Sequence, residues 1–215
     1  MCVIKQRAKS PEQKARRYQQ ILLAAENRFS VGEFESVNMN DIAADVGISK
    51  AALYRYFRTK ESLFLALFVR NLEALIETSQ LESKQQSLAS AISSALIKSP
   101  VYCMLSAILH TILERNLTVD EAKTFKLTLL NLMTKFAKVI QQHDIELGLT
   151  EANAIKLLMQ IQPTLIGVWH MTNSTGAVAE VIEMPELAMF KQDFSLSLNE
   201  HISLLVRNTL TSSQD

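Results

Sequence analysis

The stretch that decides the fold reads Asn38-Met39-Asn40-Asp41-Ile42-Ala43-Ala44-Asp45-Val46-Gly47-Ile48-Ser49-Lys50-Ala51-Ala52-Leu53-Tyr54-Arg55-Tyr56-Phe57-Arg58-Thr59-Lys60-Glu61-Ser62-Leu63. Asn38 stands three positions before Asp41, a capping-box-like pair that opens a short helix through Val46. Gly47 stops that helix, because glycine alone enters a positive-φ turn without steric cost. Ser49 then caps a second short helix, Lys50 to Phe57, on which Leu53 and Phe57 lie one turn apart and face inward. Two short helices joined by a glycine turn follow from these residues, with Thr59 capping whatever comes next.

Outward from this segment the chain keeps a helical period. Pro11 to about Val31 forms a helix with Ser10 as N-cap, Pro11 at its first position, and Ile21, Leu22, Ala25 and Phe29 on one stripe. Lys60 to about Gln80 carries Leu63, Phe64, Leu67, Phe68, Leu72 and Leu75 at three- and four-residue spacing, the mark of one long helix. Further helices are expected over 86–98, 101–115, 119–146, 151–171 and 186–210, with Pro100 and Gly148 as breaks, Thr118 and Thr150 as N-caps, and Pro185 opening the last. A loop over 173–184 separates the final two, and no repeat period is evident. The composition agrees: 215 residues, 48% of them apolar and 20% charged, can bury a core, while 5 glycines and 4 prolines leave little turn chemistry for a β-sandwich. The fold class is all-α.

Cys2 and Cys103 lie far apart with no CxxC, which excludes a disulfide framework or a cysteine-rich zinc module. The longest apolar run, Leu63 to Val69, is too short to span a bilayer, and the first ten residues hold no apolar signal core. A cytoplasmic protein without membrane contact is expected. Charge is unevenly spread: residues 1–60 hold 11 Lys+Arg against 6 Asp+Glu, whereas 61–215 hold 11 against 16. The basic end is either a solvated face or a surface for a polyanion, and the motifs have to decide between them.

Asp41-Ile42-Ala43, Gly47 through Phe57, Lys60-Glu61 and Leu63 together resemble the DNA-binding domain of the TetR family of bacterial transcriptional repressors. The physics of the residues is compatible, since a helix entering the major groove needs a small, polar first turn such as Ser49, Lys50, Ala51 and Ala52. Around the helix, Ala51, Arg55 and Arg58 point away from the apolar face, flanked by Ala52 and Tyr54. The resemblance implies a three-helix N-terminal helix-turn-helix DNA-binding domain over 11–60, its helix-turn-helix at about 38–57. It implies a long linking helix and a helical-bundle ligand-binding and dimerisation domain over 61–215.

Residue by residue, the resemblance implies that Lys50, Ala51 and Tyr54 meet base edges while Ala52, Arg55 and Tyr56 lie along the DNA backbone. Lys60 at the start of the long helix would meet a phosphate, and Asn40 would reach an adenine edge. The competing reading makes Tyr54 and Tyr56 half-buried core aromatics and Lys60 a solvated charge. The sequence departs from the family's pattern in the order Gly32-Glu33-Phe34 after the first helix and in Ala51, where glycine is common. The implied partners are a double-stranded operator, a second copy of the chain, whose last two helices would complete a four-helix bundle, and an apolar small-molecule effector.

For the effector pocket, composition offers Tyr102, Met104, His110, Phe125, Met133, Phe136, Trp169 and His170, with ordinary core packing as the alternative for each. Pro163 inside a helix predicts a kink beside the pocket. Enzyme chemistry finds no foothold: the histidines at 110, 143, 170 and 201 show no metal spacing, and no nucleophile elbow, P-loop or dinucleotide fingerprint occurs. Neither a metal nor a cofactor is expected, and Cys103 reads as a small buried hydrophobe rather than a redox sensor. The chain reads as a DNA-binding transcriptional regulator, a ligand-responsive repressor acting as a homodimer on a palindromic operator. The alternative is a helical small-molecule-binding or protein-interaction module without operator binding.

Overall fold

A computed structural model describes residues 10–81, 86–143 and 148–211. Among the described residues every regular element is helical: α1 (Pro11–Phe29), α2 (Met39–Val46), α3 (Lys50–Tyr54), α4 (Lys60–Leu81), α5 (Leu88–Ile97), α6 (Pro100–Ile108), α7 (Val119–His143), α8 (Glu151–Thr172), α9 (Gly176–Val181) and α10 (Phe194–Thr211). A π-helical turn, Leu109–Leu113, extends α6, and a 3-10 turn, Pro185–Phe190, lies between α9 and α10.

Local chemistry sets most of the boundaries. Ser10 and Gln13 form a capping box at the start of α1, with Pro11 inside the first turn. Gly47 ends α2 at φ 69°, and the Ile48 N–H reaches back to the Ala43 carbonyl at 2.9 Å, a Schellman-type close. Ser49 caps α3 through the Ala52 N–H, and Thr59 caps α4 through the Ser62 N–H at 3.0 Å. Thr150 likewise caps α8 through the Asn153 N–H.

Several expected boundaries are corrected. The Asn38–Asp41 capping box does not form: Asn38 accepts from the Asn40 N–H, while the Asp41 carboxylate turns to the Arg28 guanidinium at 3.5 Å. A cation from α1 outcompetes a backbone amide for the carboxylate. α3 ends at Tyr54 rather than Phe57, the chain tightening into i→i+3 bonds such as Tyr56 N–H to Leu53 carbonyl, so Phe57 enters the core from a turn. The segment expected as one helix over 101–115 passes into the π turn after Ile108. Residues 173–184, expected as loop, contain α9. The last helix begins at Phe194, not at Glu186, because Asp193 accepts from the Leu196 N–H and caps a new start after the 3-10 turn. The expected end of α7 at Glu146 lies outside the described residues.

One hydrophobic core runs through the whole body, and α4 is its shared member. At its first turns Phe64 is clamped edge-on between Phe29, 5.1 Å away, and Phe34, 4.8 Å away. One turn on, Phe68 meets Tyr102 at 5.3 Å and Phe125 at 6.1 Å, inside the larger half built from α5 to α8 and α10. Trp169 of α8 stands edge-on to Phe194 at 5.3 Å and ties α10 to that half.

Candidate nucleic-acid interface and helical cavity

α2, the Gly47 turn and α3 are fixed to the body from beneath. Leu53, fully buried, anchors α3, and Phe57 stacks on Tyr18 of α1 at 5.0 Å. Arg28 grips α2 with a bidentate pair to Asp45, at 2.5 and 2.9 Å, and holds that carboxyl below the usual carboxylate range. Arg17, buried in α1, donates to the Val46 carbonyl at the end of α2 at 2.7 Å. Arg70 of α4 pairs with Glu26 of α1. These contacts orient the two short helices as a unit.

The opposite side of that unit is open. Ser49, Lys50 and Ala51 are exposed, Ala52 is half-buried, and Tyr54 shows 39% of its surface with the Lys50 ammonium 5.9 Å from its ring centre. Arg55 and Arg58 are exposed alongside, Asn40 is exposed on α2, and Tyr56 is half-buried against the core. Lys60 is placed differently from its implied phosphate role: its ammonium turns inward over the Phe34 ring at 4.1 Å. There it donates to the Phe34 carbonyl and, at 3.3 Å, to that of Glu35. Burial pushes its pKa below the ordinary lysine range. In this arrangement Lys60 pins the loop that carries the unusual Gly32-Glu33-Phe34 order. Arg58, which follows α3, was legible only as an outward charge; its field reaches Glu121 in the first turn of α7.

The second feature is a cavity of about 500 Å³ between α4, α5, α6, α7 and α8. Phe68 and Leu72 of α4, Leu96 of α5, Phe136 of α7 and Ile161 and Leu165 of α8 give it apolar walls. Of the candidate pocket residues, Tyr102, His110, Met133 and Phe136 line this cavity. Met104, Phe125, Trp169 and His170 do not. Met104 packs on the core, Phe125 is buried against Phe68, Trp169 is taken up by Phe194, and His170 faces the Ala107 carbonyl at 3.3 Å. Pro163 does border the cavity, within α8, which runs through it as one helix.

Two polar groupings mark the cavity. Inside, the Tyr102 hydroxyl donates to Gln162 Oε1 at 3.3 Å, while Gln162 Nε2 is buried with no partner among the described residues. Burial also raises the Tyr102 pKa, so the phenol stays protonated at neutral pH. At the rim, Glu114 receives Lys126 Nζ at 2.6 Å and faces His110 Nδ1 at 3.0 Å. Burial pushes the Glu114 carboxyl up, but these two partners outweigh it and hold the group below its ordinary value. The π turn builds this rim, closed by the i→i+5 bond from Glu114 N–H to Leu109 carbonyl at 3.0 Å. Cys103 lies off the cavity, fully buried, its thiol on the Leu96 carbonyl and pushed up to about 12 by burial. Such a thiol carries no thiolate at neutral pH.

A helix-turn-helix with an open basic face, continued by one helix into a cavity-bearing helical body, is the build of a DNA-binding regulator. Residues 21–67 match the bacterial regulatory proteins of the tetR family, and residues 64–212 match the tetracyclin repressor-like C-terminal domain. The chain belongs to the TetR family. Its fold is similar to that of a TetR-family transcriptional regulator from Streptomyces coelicolor, at 20% identity and a TM-score of 0.53 over 92% of this chain and 89% of that one. It is also similar to a TetR transcriptional regulator from Rhodococcus sp. RHA1, at 16% identity and a TM-score of 0.54 over 91% and 97%. A further similar fold is that of the fatty acid degradation regulator FadR from Bacillus halodurans, at 14% identity and a TM-score of 0.51 over 93% and 96%. No curated protein matches the sequence. Among the described residues no single helix is long and apolar enough to cross a membrane.

Proposed function

We propose that this regulator is a ligand-responsive repressor that binds a palindromic operator as a homodimer and releases it when an apolar small molecule enters the cavity. The observation that carries the reading is the open face of α3, where Lys50, Ala51, Tyr54 and Arg55 stand outward on a helix anchored by the buried Leu53. Lys50 and Tyr54 would reach base edges, the Ala51 methyl would touch a thymine methyl, and Ser49, Ala52, Arg55 and Tyr56 would run along the backbone, with Asn40 entering from α2. Lys60 would act one step removed, by holding the loop before α2 rather than a phosphate.

One five-residue recognition helix reads few base pairs, so a two-fold dimer with half-sites about one helical turn apart supplies the rest of the specificity. The surface for the second copy would come from the last elements, where Phe190, Leu196 and Leu204 are each more than half exposed. Residues 11–60 would then serve as the DNA-binding part and 61–215 as the ligand-binding and dimerisation part. α4 couples them, since it runs from Lys60 under the DNA-binding helices to Phe68 and Leu72 in the cavity wall. A coupling of about 1–3 kcal/mol between ligand and DNA is enough to change operator occupancy.

Fluorescence anisotropy of the protein with its own upstream DNA and with a scrambled duplex, across a salt series, tests this. Palindrome-dependent binding with a steep salt slope is expected. Equal, weak binding to both duplexes at every salt would instead favour a helical interaction module.

A further inference from the structure

The cavity's interior has a hydrogen-bond imbalance that points to the chemistry of its occupant. The Tyr102 hydroxyl and the Gln162 amide together carry three hydrogens to donate, and their mutual bond uses one. Turning the amide over does not change the count: Nε2 would then donate to the phenol oxygen, and the phenol hydrogen and the other amide hydrogen would be left over. Either way at least one amide hydrogen remains without an acceptor, since the Ser106 hydroxyl beside Tyr102 can take only the phenol hydrogen; as placed, Gln162 Nε2 meets no protein acceptor among the described residues. A buried donor left without an acceptor has lost its hydration without recompense, so a guest that brings an acceptor recovers that free energy.

Charge is constrained as well. Among the described residues the formally charged side chains at the cavity are at its rim, where Lys126 is already engaged by Glu114 beside His110. The interior around Gln162 is otherwise apolar, from Phe68, Leu72, Ile161 and Leu165. An anion placed there would lose its water for neutral donors only, and a cation would exchange its water for no more than the spare lone pairs of Gln162 Oε1 and the Tyr102 oxygen. A volume of about 500 Å³ suits a guest of small-molecule size.

We infer that the cavity takes an uncharged, mainly apolar molecule carrying one hydrogen-bond-accepting oxygen, a ketone, ester or lactone carbonyl, which docks on the Gln162 amide and the Tyr102 hydroxyl. This rests on the reading of the cavity as the effector site. In this arrangement Gln162 is the specificity-determining residue: the apolar walls hold the body of the guest, and the amide selects its oxygen.

The test uses the full-length dimer and the neutral fluorophore N-phenyl-1-naphthylamine as cavity probe, displaced by three chains of matched length: 2-undecanone, undecanoate and undecylammonium at neutral pH. The ketone is expected to displace the probe about ten-fold more tightly than either ion, the order of one charge-free buried hydrogen bond plus avoided charge burial. Gln162→Leu is expected to lower ketone affinity about ten-fold while leaving the affinity for the fluorophore unchanged, which also reports that the cavity is intact. Equal affinity for ketone and carboxylate, or a ketone affinity unmoved by Gln162→Leu with the probe still bound, overturns the inference and leaves the cavity reading standing. Failure of the probe itself to bind, with Met133→Trp behaving like the unaltered protein, overturns both.

Discussion

Two neighbouring turns of α4 solve opposite problems. Around Phe64 the chain fills space completely, with three aromatic rings edge-on and three arginines of α1 and α4 reaching to α2 or pairing across helices. Around Phe68, the first residue past the 64–67 overlap of the two matched family domains, the chain packs a wall on one side and leaves about 500 Å³ open on the other. The first arrangement presents a fixed surface. The second keeps stability in reserve that a guest can supply. The function proposed above, holding two DNA-reading helices in register while answering a small molecule, would need both along one helix.

Truncating one side chain in each region separates the two most visibly. Phe64→Ala is expected to cost about 3–5 kcal/mol, because it removes a fully packed side chain. Met133→Ala, in the cavity wall, is expected to cost less than half of that, since its side chain has neighbours on fewer sides. Urea unfolding of the two variants measures the difference; equal losses would mean that the cavity wall is as tightly packed as the Phe64 cluster.

Lys60→Met comes next. It frees the Phe34 and Glu35 carbonyls from a charged donor and is expected to cost about 1–2 kcal/mol, with DNA affinity falling in step with stability. A loss of DNA affinity with unchanged unfolding would return Lys60 to the phosphate-contacting role. Lys50→Ala is expected to leave unfolding within about 0.5 kcal/mol of the parent while relaxing preference at one base pair by about 1–3 kcal/mol. Competition binding across single-base operator variants reads that change directly.

The smallest effect concerns Asp45. Its carboxyl is held down chiefly by the hydrogen bond from Arg28, so the pair stabilises the fold above the ordinary carboxylate range and loses that contribution as pH falls through the lowered value. Asp45→Asn is therefore expected to lower Tm slightly at neutral pH and to match the parent in acid. Both partners stand at the surface, and added salt is expected to shrink the difference further.

What the sequence made legible was what neighbours in the chain decide. Ser10, Gly47, Ser49, Thr59 and Thr150 act within a few residues of themselves, and each occupies the cap or turn its chemistry suggested. The Asp41 capping reading failed, and the Lys60 side chain is placed off its implied direction, because in each case a remote partner was involved: Arg28 from α1 for one, the Phe34 carbonyl for the other. Cavity membership was half legible for a similar reason. Aromatic and methionine content marked Tyr102, Met133 and Phe136, but the same content marked Trp169. Trp169 lies two helical turns, roughly 10 Å, beyond Gln162 and packs on Phe194 instead. Gln162 itself carried no signal, since a lone glutamine on an apolar stripe looks like an interruption until Tyr102 of α6 is set against it.

α4 has a last consequence, one of scale. Its 22 residues make a rod of roughly 33 Å, and a rod that long magnifies angle into distance. From Leu72 at the cavity back to Lys60 is roughly 18 Å of that rod, so a tilt of about 10° about Leu72 sweeps the first turn through about 3 Å, the full reach of a hydrogen bond to a base edge. On the function proposed above, a guest that tilted α4 by that much would carry the DNA-reading helices it supports out of register.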